Sequence, residues 1–194
     1  MSNVYCVLDT ETTGLTDDHE LIEFTMIEVN PVTLVTGTQF QGKVAPQFPS
    51  RTDPRALKVN GIKYEDMIDY PSDTLIRSEF IGWWEDALGG RPIIPIAHNW
   101  AFDSRFFRKF LQYQMEDMFH KNRYIDTKAT LETLKIIGKI CSHRNPEEFS
   151  THLDDLTSAW GIAHDPHKSY EDCHATLDVL RYLKETLPNF SLEG

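Results

Sequence analysis

The chain has 194 residues, 40% of them hydrophobic and 25% charged, the balance of a soluble globular protein whose length suits one ordinary domain. A formal net charge of −11 excludes strong sequence-independent binding of a phosphate backbone through clustered Lys and Arg, and no apolar run approaches the ~20 residues needed to cross a bilayer. Three scattered cysteines, Cys6, Cys141 and Cys173, form no metal-type cluster, and Met1–Tyr5 carries no secretory signal, so the reading is a reducing, cytoplasmic setting with no membrane.

In chain order, Val4–Leu8 is continuously apolar and partly β-branched, as in a buried central strand. Residues 21–29 and 38–45 read as two further strands, with a turn near Asn30-Pro31. Short helical pieces follow over 54–68, interrupted at Gly61, then a helix over 72–88 with Ser72 as its N-cap. A strand at 92–97 leads to a helix at 101–115. A short strand at 122–126 leads to a helix at 127–140, and two more helices cover 152–160 and 170–186. Three strands followed by strands alternating with helices give an α/β layered fold, with no domain boundary within residues 1–194.

Four carboxylates stand out. Asp9 and Glu11 follow the first strand directly. If that strand continues, positions two apart share a face, and both acids sit at its carboxyl end, where open α/β sheets place ligands. Asp103 precedes Phe106, Phe107 and Phe110 at helical spacing, so it heads the inward face of its helix. Asp172 repeats the pattern with Ala175, Val179, Leu180 and Leu183. The plainer alternatives are solvated loop acids for Asp9 and Glu11, a dipole-complementing acid for Asp103, and a capping box Ser169-x-x-Asp172. No basic residue stands at a matching inward position near Asp103 or Asp172, and an unpaired buried charge is costly. A shared cation would satisfy all four, and hard oxygen donors suit magnesium or manganese. His167, five positions before Asp172, is placed to face the same site and to accept a proton near neutral pH. His143, His152, His164 and His174 have no usable spacing.

Three segments together resemble a known family. Asp9-Thr10-Glu11-Thr12-Thr13-Gly14-Leu15 resembles the first motif of the DEDDh exonucleases, the group that contains the proofreading epsilon subunit of bacterial DNA polymerase. His98-Asn99-Trp100-Ala101-Phe102-Asp103 resembles the second motif, H-N-x-x-F-D, and His167 through Asp172 the third, H-x-x-x-x-D. Lys168 stands where the sister subclass has Tyr, which favours the histidine subclass. Asn60 replaces the His of a segment that usually reads H-G-I, and no role is assigned to it. Asp126-Thr127 and Leu153-Asp154-Asp155-Leu156 match weaker family pairs, and the resemblance covers about residues 3–185.

The resemblance implies a ribonuclease H-like fold: a mixed five-stranded sheet with its second strand antiparallel, flanked by helices. It implies that Asp9, Glu11, Asp103 and Asp172 hold two divalent cations, Mg²⁺ or Mn²⁺, with Asp9 bridging, and that His167 is the general base. The reaction implied is removal of nucleoside 5′-monophosphates from the free 3′ end of a single strand. The turn Thr12, Thr13, Gly14 and Leu15 would meet the terminal nucleotide, with Leu15 and Phe102 against its base. His98 and Asn99 come with the second motif, His98 reading equally as the end of a strand. Trp100 reads either as a base-stacking ring or as a core aromatic. The form D-T-E-T-T-G favours DNA over RNA. An exoribonuclease and a non-catalytic nucleic-acid-binding or polymerase-associated module are the alternatives. A homodimer, the state of several relatives, is left open.

Overall fold

The computed structural model describes residues 3–140 and 149–187, so Cys141 and His143 lie outside the described residues. Three strands come first: β1 (Val4–Thr12), β2 (Leu21–Val29) and β3 (Thr36–Lys43). Helices α1 (Pro54–Asn60), α2 (Tyr64–Ile68) and α3 (Asp73–Ala87) precede strand β4 (Ile93–Ala97). Then come α4 (Trp100–Leu111), α5 (Met115–Met118), β5 (Ile125–Asp126), α6 (Thr127–Ile136), α7 (Leu153–Trp160) and α8 (Ser169–Thr186). The strands form a five-stranded sheet in the order β3-β2-β1-β4-β5. β2 runs antiparallel to both neighbours, whereas β1–β4 and β4–β5 are parallel. This is the mixed, helix-flanked sheet that the resemblance implies.

Strand alternation distributes the core. Val4, Cys6 and Leu8 face α3 and α4 together with Phe24, Met26, Phe80, Phe106, Phe107 and Phe110. Tyr5 and Val7 face α8 with Ile27, Ile94, Ile96, Leu177 and Leu180. Phe24 is the hub of the first layer, with ring centroids of Phe40, Phe80, Phe107 and Phe110 at 5.2–5.6 Å. Such pairs add about 0.5–1.5 kcal/mol each beyond their area. Leu131, Leu156, Val179 and Leu183 tie α6 and α7 to α8.

Several boundaries differ from the sequence expectation. β1 runs on to Thr12, which puts Asp9 and Glu11 on one face. The helix expected over 101–115 stops at Leu111. Gln112 takes a left-handed φ of 55°, and the chain continues as a 3₁₀ turn and α5, which buries Met115 and Met118. The helix expected over 127–140 ends at Ile136, just before the left-handed Gly138. Ser72 caps α3 as expected, accepting the Leu75 N–H at 3.3 Å. The capping box at α8 does not form: Ser169 is the first helical residue, and its hydroxyl meets Thr25 Oγ1 at 2.8 Å and Glu23 Oε1 at 3.3 Å.

Candidate active site

The carboxyl end of β1 carries the site. Asp9 and Glu11 leave it toward α8, whose first turn presents Asp172. Carboxylate oxygens of Asp9, Glu11 and Asp172 all lie within 4.8 Å of one another. Asp103 arrives from the first turn of α4 and is 3% exposed. Its Oδ1 accepts the Thr10 hydroxyl at 2.7 Å, because Thr10 points to the face opposite Asp9 and Glu11. The structure thus gathers three of the four acids tightly and holds the fourth close enough for its charge to act on Asp9.

Burial, reinforced by mutual repulsion, governs the electrostatics. Desolvation first, then the charges of Asp103, Asp172, Glu11 and Glu23, hold the Asp9 carboxyl well above the usual carboxylate range. Glu11 is pushed up to about 8 by desolvation and by Asp172, Glu23 and Asp103. Burial raises Asp103 to about 7, opposed by the Thr10 hydrogen bond, and raises Asp172 against the pull of His164. Among the described residues no Lys or Arg pairs with any of the four. A cluster of hard oxygen donors that resists ionisation by itself fits a divalent cation.

Asp9, Glu11 and Asp172 floor a cleft of about 520 Å³, whose lining also includes Thr12, Gly14, Leu15, Asp53, Arg55, Ala56, Val59, Asn60, Phe102 and His167. Leu15 is 72% exposed at its rim. A groove of about 330 Å³ continues from it, sharing Glu11, Asn60 and His167. The loop bearing Leu15 is tied to α4: Arg105 donates to the Leu15 carbonyl at 3.4 Å, and Lys109 donates to the carbonyls of Asp17 and His19. Gly14 leaves room for the His19 ring, since a Cβ there would lie 2.4 Å from it and the ring would have to move.

The remaining expected residues divide between cleft and scaffold. His167 lines the cleft in a left-handed conformation (φ 63°) that turns its N–H onto Asp172 Oδ2 at 3.1 Å, with Nε2 3.4 Å from Asp154 Oδ2. Thr12 lines the cleft, and its hydroxyl donates to the Gly14 carbonyl at 2.8 Å. Thr13 is 1% exposed and serves the scaffold, its hydroxyl accepting the Glu20 N–H. The Trp100 ring stacks on Phe119 at 5.6 Å, against the core and away from the cleft lining, so the core-aromatic reading is the one this structure supports. Burial pushes His98 down to about 4, so its ring is neutral at pH 7. Nε2–H donates to the Thr151 carbonyl at 2.8 Å, which leaves Nδ1 to accept the Thr127 hydroxyl at 2.9 Å. Asn99 occupies the N-cap position of α4 without a side-chain capping bond, in a left-handed conformation, φ 89°, which Asn tolerates better than most residues.

Four residues that shape the site are given no role by the sequence reading. Thr10 is hidden inside the first motif. Glu23 faces Glu11 directly across the β1–β2 ladder, a pairing that only the register reveals. Asp126 accepts from the N–H groups of Asn99 and Trp100 at the start of α4 and of Ala129 in α6, so one carboxylate fixes two helix starts. His164 meets Asp172 through Nε2, reaching it from a loop and not from a matching inward helical position, so the expectation about such positions does not anticipate it. It comes from an irregular loop, where no period announces it.

The exonuclease family model, of RNase T type, matches residues 6–180. The chain is 35% identical over 106 residues to the DNA polymerase III epsilon subunit of Escherichia coli K12, covering 52% of this chain and 40% of that one. It is 30% identical over 183 residues to the PolC-type DNA polymerase III of Thermotoga maritima, covering 93% of this chain and 12% of the relative. The fold matches E. coli exonuclease I in complex with a dT13 oligonucleotide, with a TM-score of 0.79 at 18% identity, over 96% of this chain and 42% of that one. The chain therefore spans well under half the length of each of these relatives.

Proposed function

The chain belongs to the exonuclease family, and on that premise we propose that it removes nucleotides one at a time from the 3′ end of single-stranded DNA, releasing nucleoside 5′-monophosphates. The observation that carries this reading is the trio Asp9, Glu11 and Asp172, within 4.8 Å and without a Lys or Arg partner among the described residues, on the floor of a nucleotide-sized cleft. Asp9, Glu11, Asp172 and Asp103 would hold two divalent cations, Mg²⁺ or Mn²⁺. Bound there, the cations supply positive charge against the phosphate and lower the pKa of a coordinated water. His167, with its side chain 44% exposed at the cleft, takes the proton of the attacking water as general base. Leu15, Ala56, Val59 and Phe102 supply the apolar surface for the terminal base. The Thr12 and Gly14 backbone borders the sugar.

Similarity to a DNA polymerase III subunit and to a PolC-type DNA polymerase III supports DNA rather than RNA as substrate. The acidic balance supports engagement of phosphate through cations rather than through a basic face. The test is digestion of matched 5′-labelled single-stranded DNA and RNA with Mg²⁺, Mn²⁺ or EDTA. A ladder shortening from the 3′ end, faster on DNA and abolished by EDTA, is expected. Faster shortening of RNA would turn the reading to an exoribonuclease, and no shortening of either strand would end it.

A further inference from the structure

His164 sits in the loop between α7 and α8, and its side chain is 3% exposed. Nε2 is bonded to Asp172 Oδ1. Nδ1 faces Thr157 Oγ1 at 3.2 Å and Asp154 Oδ1 at 3.8 Å. The other Asp172 oxygen, Oδ2, accepts the His167 N–H. Asp172 is thus gripped from one side by a buried imidazole and a backbone amide, while its carboxylate lies with Asp9 and Glu11. An ionised carboxylate only accepts, and each of its oxygens offers two lone-pair sites. One site on each oxygen is used by the grip, and one on each remains.

We propose that His164 is a positioning residue for the cation site: by donating Nε2–H to Asp172 Oδ1 it fixes the orientation of that carboxylate, so that the remaining lone pairs are presented toward Asp9 and Glu11. A side chain in the first turn of a helix otherwise chooses among staggered rotamers. Donors behind a ligand remove that freedom and strengthen metal binding, typically by 10–100-fold. The same ring links α7 to the site. Thr157 holds Nδ1, and Asp154 reaches toward His164 with Oδ1 and toward His167 with Oδ2. This inference rests on the cation site assigned under the proposed function.

The experiment is calorimetric titration of Mn²⁺ alone into the metal-free protein, with a thermal melt of each variant in EDTA as the folding control. Wild type is measured first. If it takes up no Mn²⁺, the proposed function itself falls. Given uptake by wild type, H164L, which fills the space but donates nothing, is expected to weaken Mn²⁺ by about 10–100-fold. H164Q, whose amide N–H reaches the position of Nε2, is expected to restore affinity to within a few-fold of wild type. Folded H164L with wild-type affinity, or H164Q as weak as D172N, would overturn the positioning role. Should H164L not fold, H164Q against D172N decides alone. A kinetic counterpart is expected: turnover by H164L recovers at high Mn²⁺, because the attacking groups are untouched.

Discussion

Replacing Glu11 by Gln should stabilise the metal-free protein while destroying its capacity to bind metal. Glu11 is pushed from 4.5 up to about 8, so in the folded state it holds a proton that the unfolded chain has released. Between those values folding binds protons, and stability therefore falls as pH rises through the window, with no further loss above it. A rise of that size sets a ceiling of roughly 4 kcal/mol at pH 8. Asp9, Asp103 and Asp172 redistribute protons when one acid is removed, so the realised gain for E11Q is about 1–2 kcal/mol, or about 2–8 °C for a chain of this length. The assay is thermal unfolding of E11Q and wild type in EDTA at pH 4, 6 and 8. The difference between them should be near zero at pH 4 and largest at pH 8. Saturating Mn²⁺ should reverse the order, because only wild type keeps the full donor set. An E11Q melting point equal to or below that of wild type at pH 8 in EDTA would refute the claim that the acids are held together against their own repulsion.

Three further outcomes are expected. His167→Ala should lower turnover by roughly 10²–10⁴ while calorimetric Mn²⁺ affinity stays within a few-fold of wild type, which a metal ligand would not allow. Thr10→Val leaves the buried Asp103 Oδ1 without its hydroxyl donor, at a cost of about 1–3 kcal/mol. That bond favours the ionised carboxylate, so the melting deficit in EDTA should be greater at pH 9 than at pH 6, on either side of the Asp103 value of about 7. Trp100→Ala removes a ring stacked on Phe119 and should depress the melting temperature while leaving KM for a short oligonucleotide unchanged. A rise in KM without loss of stability would restore Trp100 to the cleft.

The sequence made the strands and the inward acids legible wherever one period ran unbroken. Val4–Leu8 announces a central strand, and D-x-E puts Asp9 and Glu11 on one face once that strand extends to Thr12. The helix carrying Asp103 shows its buried face through Phe106, Phe107 and Phe110. Legibility stopped where side-chain direction or irregular backbone decides. Trp100 occupies a motif position, yet its ring turns to Phe119 because an apolar surface waits there. His164 and the left-handed His167 depend on loop dihedrals that no periodicity encodes. Glu23 is paired with Glu11 only by the β1–β2 register, which the intervening loop sets.

The Asp126 carboxylate, with its grip on the starts of both α4 and α6, bears on how mutational surveys of this protein should be read. Loss of that carboxylate should free the end of the helix on which Asp103 rides, and the acid is then expected to shift although none of the acids of the site has been altered. A survey scored on turnover alone would draw the boundary of the proposed catalytic centre around Asp126, which is absent from the lining of the cleft. One scored on helix fraying by hydrogen exchange would draw it elsewhere. Agreement between two such maps at Asp9, Glu11 and Asp172, together with divergence at Asp126, would separate the acids proposed to hold the cations from the carboxylate that fixes two helix starts.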